Sequence, residues 1–382
     1  MEKGKGQNYF NTIMKIKEVF SLNIYDRYIM KQYFTTFLFT LTILSLIAVV
    51  FDVSERIEKF ISKNVSVWEV IRDYYLNFIP WINSLLFPLY ALITVIFFTS
   101  RLAERTEIIP FFSSGMSYSR FLKPFVYSAL FFTIIHLYAD HFLVPRGNKV
   151  LSLFENKYLN KGNLITKDRF IHFFVAPGVE AYFNSYNSYD SSGTGFQLKR
   201  TEDSRVIEIL SAASIRYNVN IKKWTLKDYN IRSWKNKEEN FDLYMGQSLD
   251  TALNLTISDF VMYKNDKDKM PTPELSEFIG HERKKGSGIT RRYEVEKHRR
   301  TADPATTFIL SFIGVCISSR KVRGGLGLHL AAGIILGVIF IFLSKLSLTF
   351  ANSELFNPLL AIWMPNIVFS FLAYYLYKSA QK

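Results

Sequence analysis

Residues Phe34–Phe51 read FTTFLFTLTILSLIAVVF, an uncharged run of eighteen. A helix needs about 20 apolar residues, and no fewer than about 17, to cross the ~30 Å hydrocarbon core of a bilayer. This stretch therefore reads as a membrane span. Tyr74–Ser100 is also uncharged and contains Pro80 and Pro88, which a bundle tolerates because neighbouring helices satisfy the freed carbonyls. Pro124–Ala139 is the third span. Pro304–Ser319 is short unless Thr301–Asp303 dips into the interface, while Gly324–Ser344 and Pro358–Tyr377 have ordinary length. The fold class expected is a membrane α-helical bundle of six transmembrane helices, arranged 3+3 around an inserted domain.

The insert has a different composition. Val179-Glu-Ala-Tyr-Phe183, Arg205–Leu210, Lys223–Ile231 and Leu253–Met262 show β-type residues or two-residue alternation. Turn chemistry at Tyr189–Gly195 and Trp234–Asn240 separates them. Short strands at this spacing suggest an antiparallel sandwich or jelly roll. Pro273–Ile279 and Arg291–Arg300 read as helical connectors into the fourth span. The division expected is 1–143 for an N-terminal segment and helices one to three, 144–300 for a β-jellyroll-like domain with helical connectors, and 301–382 for helices four to six. No internal repeat or low-complexity tract is visible.

Mean hydropathy is only +0.07 although 49% of residues are hydrophobic, so the apolar residues lie in blocks. The net charge of +14 is split by those blocks and points to anionic lipid surfaces rather than nucleic acid. Short loops carry fifteen lysines and arginines on one side and five on the other. By the positive-inside rule both termini are cytoplasmic and the long insert lies outside. The N-terminus lacks the apolar core of a cleaved signal peptide, so targeting is expected from the first span. Cys316 is the only cysteine and lies in an apolar run, which excludes an intramolecular disulfide.

Motifs for catalysis are missing. No HExxH, GxSxG or GxxxxGK[ST] occurs, and Arg323–Gly327 lacks the lysine and hydroxyl of a phosphate loop, so it reads as a tight turn. The six histidines show no ligand spacing, so no metal or cofactor is expected. Asp52, Asp140, Asp303 and Lys345 fall at the ends of the apolar runs and read as interfacial anchors. His136, inside the third span, reads as a packing histidine rather than a relay. An ion-driven transporter would place titratable groups deeper, so the energy for any transport is expected from a partner.

Two charged stretches are candidate sites. Beyond the first span, Arg56, Lys59 and Lys63 share one helical face and could hold anionic lipid phosphates. The alternative is a solvated amphipathic end neutralised by Glu55 and Glu58. Between helices two and three, Arg101-Leu-Ala-Glu-Arg-Thr-Glu-Ile-Ile-Pro-Phe-Phe-Ser-Ser-Gly115 alternates charge and then turns apolar. It reads either as a short helix docked on a cytoplasmic partner or as a membrane-surface loop. Leu102, Ile108 and Ile109 are the expected apolar contacts, and Arg101, Glu104, Arg105 and Glu107 the charged ones.

The order of several short motifs is more telling than any one of them. Tyr25-Asp-Arg-Tyr-Ile29 with Lys31 opens helix one, and Arg105-Thr-Glu-Ile-Ile109 precedes Ser113-Ser-Gly115. Glu296-Lys-His-Arg-Arg300 with Pro304, Ser318-Ser-Arg-Lys-Val-Arg-Gly-Gly325 and Pro365-Asn366 follow. With a β insert after helix three, the chain resembles the lipopolysaccharide export permease family (LptF/LptG, YjgP/YjgQ) over nearly its whole length, leaning toward the LptG branch. The resemblance implies a non-enzymatic subunit in the bacterial inner membrane. It implies a heterodimer with a paralogous permease, a cytoplasmic ATPase dimer, periplasmic bridge proteins and lipopolysaccharide entering from the outer leaflet between helices one and five. It also implies that Glu107 pairs with an arginine of the ATPase; Glu104 is read as nearer the solvated rim. Two positions depart from the pattern. A cation near the outer end of helix one is replaced by Asp52, leaving Arg56, Lys59 and Lys63 as the phosphate contacts. Pro110 interrupts the expected coupling helix, which should restart or kink there. Rival readings are an ion-coupled lipid transporter or flippase, and an envelope scaffold presenting a β domain.

Overall fold

The computed structural model describes residues 23–380 except 160–163, 167–168, 188–189, 204, 219–220, 222, 236–237, 256–259, 264–265, 287–289, 321, 323–324 and 354–355. Expectations resting on the basic segment 1–22, and on Arg323 and Gly324, lie outside the described residues. Helices α1 (Ile24–Ser62), α2 (Val67–Glu104), α4 (Tyr118–Tyr158), α6 (Thr290–Ser318), α7 (Gly325–Asn352) and α8 (Pro358–Ala380) are each long and apolar enough to cross a membrane. The short α3 (Ile108–Ser113) follows α2, and α5 (Thr272–Lys285) precedes α6.

Several helices outrun their apolar stretches. α1 continues through the charged residues to Ser62. α4 passes through a π-helical turn at Ala139–Leu143 and stays helical to Tyr158. α6 begins at Thr290 and holds Pro304 within it. The short fourth apolar run is thus one part of a 29-residue helix, and α2 includes a π segment at Val70–Tyr75.

The chain divides into two compact units. One comprises residues 1–54, 82–140 and 300–382. Its core is aromatic: Tyr33, Phe37, Phe98, Phe121 and Phe125 are almost fully buried. Phe98 and Phe125 stack at 5.4 Å, and Phe37 and Phe132 at 4.0 Å. Polar contacts join helices within it. Tyr33 and Ser311 hydroxyls lie 2.9 Å apart. The Asn366 amide donates to the Ala302 carbonyl at 2.8 Å and accepts from Thr306 at 2.8 Å, joining α8 to α6. α7 approaches α2 through Gly333 and Gly337. A Cβ at Gly333 would collide with Ile96, and one at Gly337 would come within 2.9 Å of Leu89. This is the small-xxx-small arrangement that lets membrane helices pack closely.

The second unit comprises residues 55–81 and 141–299. Its main sheet is open and antiparallel, with strands neighbouring in chain order: β2 (Arg169–Ala176), β3 (Val179–Asn187), β4 (Ser192–Glu202), β5 (Arg205–Asn218), β6 (Lys223–Lys235) and β7 (Glu238–Thr251). β1 (Leu164–Thr166) pairs with β8 (Val261–Tyr263). Phe183, Phe196, Trp224 and Phe260 form the buried centre of its core, and the Trp224 indole donates to the Leu255 carbonyl at 2.9 Å. The antiparallel β domain expected between the two helix groups is present.

Details differ from the sequence reading. Of Leu253–Met262, only Val261 and Met262 are strand among the described residues. β1, β2, β4 and β7 were not foreseen. β4 starts inside the expected turn because Gly193 and Gly195 leave room for neighbouring side chains. A Cβ on Gly193 would lie 2.7 Å from Phe183, and Gly195 has φ +58° beside Asn184. β7 is exposed along almost its whole length, so it lacks the alternation that marks a half-buried strand.

Candidate functional site

The loop between α2 and α4 is built by a helix stop. The Glu107 amide bonds to the Leu102 carbonyl and the Thr106 amide to the Ala103 carbonyl, with Thr106 at φ +62°. This is a Schellman ending with a threonine where glycine is usual. A left-handed β-branched residue costs about 1–2 kcal/mol, so the surroundings must impose this turn. α3 then begins at Ile108, which puts Pro110 in its first turn, where a missing amide hydrogen breaks no intrahelical bond. The helix starts two residues before the proline and ends at Ser113, and the chain turns at Gly115, φ +82°. Ser117 caps α4 by accepting from the Arg120 amide.

Tertiary contacts hold this loop. Phe111 packs on Tyr25 of α1 at 4.6 Å and on Phe121 of α4 at 5.6 Å. Glu107 accepts from the Tyr28 hydroxyl at 3.2 Å and lies 3.9 Å from Arg105. Glu104 accepts from the Leu326 amide at the start of α7 at 2.7 Å. Glu104 is exposed, and this contact ties it to another helix. Arg101 is exposed and lies over the Phe97 ring at 5.1 Å. Leu102 and Ile108 are buried in the bundle, so their apolar surface is already used. Exposed apolar residues here are Ile109, Phe112 and Met116.

Asp26 is fully buried and bonds Arg120 through both oxygens at 2.7 and 2.8 Å, while accepting from the Asn23 amide at 3.0 Å. It thus closes the start of α1 and ties it to α4. Sequence reasoning recorded the Asp-Arg-Tyr motif without this role, because the partner lies 94 positions away.

The three cations beyond the first span separate. Arg56 bonds Glu155 at 3.1 Å and lies over Tyr74 at 5.1 Å, within an aromatic cluster of Phe60, Tyr74 and Phe154. Lys59 and Lys63 are exposed, and neither ammonium group makes an ion pair among the described residues.

A polar cluster lies inside the bundle. His136 Nδ1 is 2.9 Å from the Thr307 hydroxyl of α6, and its Nε2 is 3.3 Å from Asp140. Asp140 also accepts from Ser84 of α2, and Phe87 stacks on the imidazole at 4.6 Å. Asp140 and Asp52 were expected as interfacial anchors. Both are buried, because α4 and α1 continue past the ends of their apolar runs. Asp140 lies in the π turn, which adds a residue to the helical circuit.

Replacing Asp140 with Leu removes the acceptor of Ser84 and a partner of His136. A buried polar group that loses its partner costs about 1–3 kcal/mol. Thermal unfolding of the detergent-solubilised chain should show a midpoint lowered by several degrees for Asp140→Leu and by less for Asp140→Asn, which retains an acceptor oxygen. Unchanged midpoints in both would remove this cluster from the stability of the bundle.

A search of curated protein sequences finds no match. The family model described as "Lipopolysaccharide export system permease LptF/LptG" matches residues 27–379. That span takes in the six long helices, the inserted sheet, the loop with its two tethered glutamates and the cations beyond α1, and the chain belongs to the LptF/LptG lipopolysaccharide export permease family.

Proposed function

We propose that this permease is one subunit of an ATP-driven lipopolysaccharide exporter in the bacterial inner membrane. It pairs with a paralogous permease, is driven by a cytoplasmic ATPase dimer, and passes lipopolysaccharide from the outer leaflet to a periplasmic bridge. The observation that carries the reading is the loop of Arg101–Gly115. It presents exposed Ile109 and Phe112, with Met116 next to it, beside Arg101, Arg105 and Glu107, a mixed apolar and charged surface suited to a protein partner. Chemistry on ATP then belongs to that partner, and the chain transmits its work.

In this arrangement both termini and the loop are cytoplasmic. Residues 144–300 form the periplasmic domain between helix groups 1–143 and 301–382. The excess of basic residues in the short loops on one side supports that orientation. A cysteine introduced at Ser191, in the β3–β4 turn, should react with an impermeant thiol reagent in intact spheroplasts, and one at Ser114 only after lysis. The reverse pattern would overturn the orientation.

Glu107 is the proposed contact for an ATPase arginine. Its hydrogen bond to Tyr28 holds the carboxylate in place before the partner arrives. Truncating one member of a buried interfacial pair costs about 2–5 kcal/mol, whereas a solvated surface pair is worth about 0–1 kcal/mol. Glu107→Arg should abolish co-purification with the ATPase and lipopolysaccharide-stimulated hydrolysis. An arginine-to-glutamate change in the ATPase should restore both, and full coupling in Glu107→Arg would exclude this residue as the contact.

Among the three outer cations, Lys59 and Lys63 are the proposed phosphate ligands, and Arg56 is principally structural. The double change Lys59→Glu and Lys63→Glu should reduce photocrosslinking of lipopolysaccharide to α1 at unchanged expression. Undiminished crosslinking would return this helix end to a solvated role. The buried His136–Asp140 pair favours an ion-coupled second reading, which requires export to fail when the proton gradient is collapsed with ATP still present.

A further inference from the structure

Glu104 and Glu107 lie three residues apart on either side of the strained Thr106, and they reach different helices. Glu107 accepts from Tyr28 in the first turns of α1. Glu104 Oε1 accepts from the backbone amide of Leu326, the second residue of α7. A helix start leaves its first amides without intrahelical partners and carries partial positive charge, so a carboxylate brought from another helix both caps and pins it. Gly325 is fitted to this contact. It has φ +57°, and a Cβ there would lie 2.8 Å from the same Glu104 oxygen.

Below this cap, α7 follows α2 closely. The Ser100 hydroxyl is 2.8 Å from His329 Nδ1, and Gly333 and Gly337 seat against Ile96 and Leu89. α1 and α7 are also the two long helices with the smallest share of residues buried inside this chain. The loop thus contacts both of these helices.

We infer that Glu104 is a positioning residue that sets the start of α7 from the loop, so that one displacement of the loop acts on α1 through Glu107 and on α7 through Glu104 together. A partner seated on Ile109, Phe112 and Met116 would press on α3. α3 is joined to both carboxylates through the Thr106 turn. The tie itself is a property of this chain, while its use in transport rests on the ATPase-docking reading proposed above.

Hydrogen exchange on the full chain in lipid nanodiscs tests the tie without any ATPase. Glu104→Ala should speed exchange of amides 325–330 about tenfold, the size expected for a lost helix cap, and Glu104→Gln, which keeps an acceptor, by about threefold or less. Tyr28→Phe, which removes the Glu107 hydrogen bond to α1, should speed exchange of the same amides in the parent chain and add nothing in the Glu104→Ala background. Parent-like exchange in Glu104→Ala, or additive effects of the two changes, would overturn the inference. A second arm uses the complex with the ATPase. Glu104→Ala should keep co-purification but lose most lipopolysaccharide-stimulated hydrolysis, and normal stimulation would reduce Glu104 to a local cap. If the parent chain retains no ATPase at all, the proposed function fails and the exchange result still decides the tie.

Discussion

Helices surrounded by lipid gain little from touching one another with leucine or phenylalanine, because the acyl chains are equally apolar. What holds them at fixed angles and depths is close approach, or a polar group that finds its partner on a neighbour. The bundle follows this constraint at several levels. Asp26 and Arg120 fix α1 to α4. His136, Asp140, Ser84 and Thr307 gather α2, α4 and α6, and Asn366 with Thr306 adds α8 to α6. α7 joins through glycines facing α2. The aromatic core fills the space among these fixed points.

The same constraint explains what was legible in the sequence. Long uncharged runs have no other reading, so the six spans stood out, and alternation in β3 and β5 betrayed an antiparallel domain. Helix ends were harder to place. Glu55–Ser62 and Val144–Tyr158 are too polar to resemble a span, yet both continue its helix, the second in spite of Pro145, which falls in the first turn after the π-helical segment. β7 failed to register because neither face is buried in this chain.

Site residues divided along similar lines. Residue type and position marked the charged loop as a whole, and only the resemblance of Arg105-Thr-Glu-Ile-Ile109 to the family motif singled out Glu107 within it. The role of Glu104 was hidden because its partner is a backbone amide 222 positions away, which no side-chain pattern announces. Arg56, Lys59 and Lys63 looked equivalent at helical spacing. Only the fold reveals that Glu155 and Tyr74 occupy the first and leave the other two in solvent.

Gly333 and Ile96 occupy what amounts to one shared volume, since a methyl added to the glycine would take the place of an isoleucine carbon. The two positions are therefore coupled. An alanine at 333 requires either that the terminal methyl of Ile96 turn away or that 96 has first shrunk to valine or smaller. Along this seam the order in which substitutions arrive matters, and drift in one helix is paced by drift in the other.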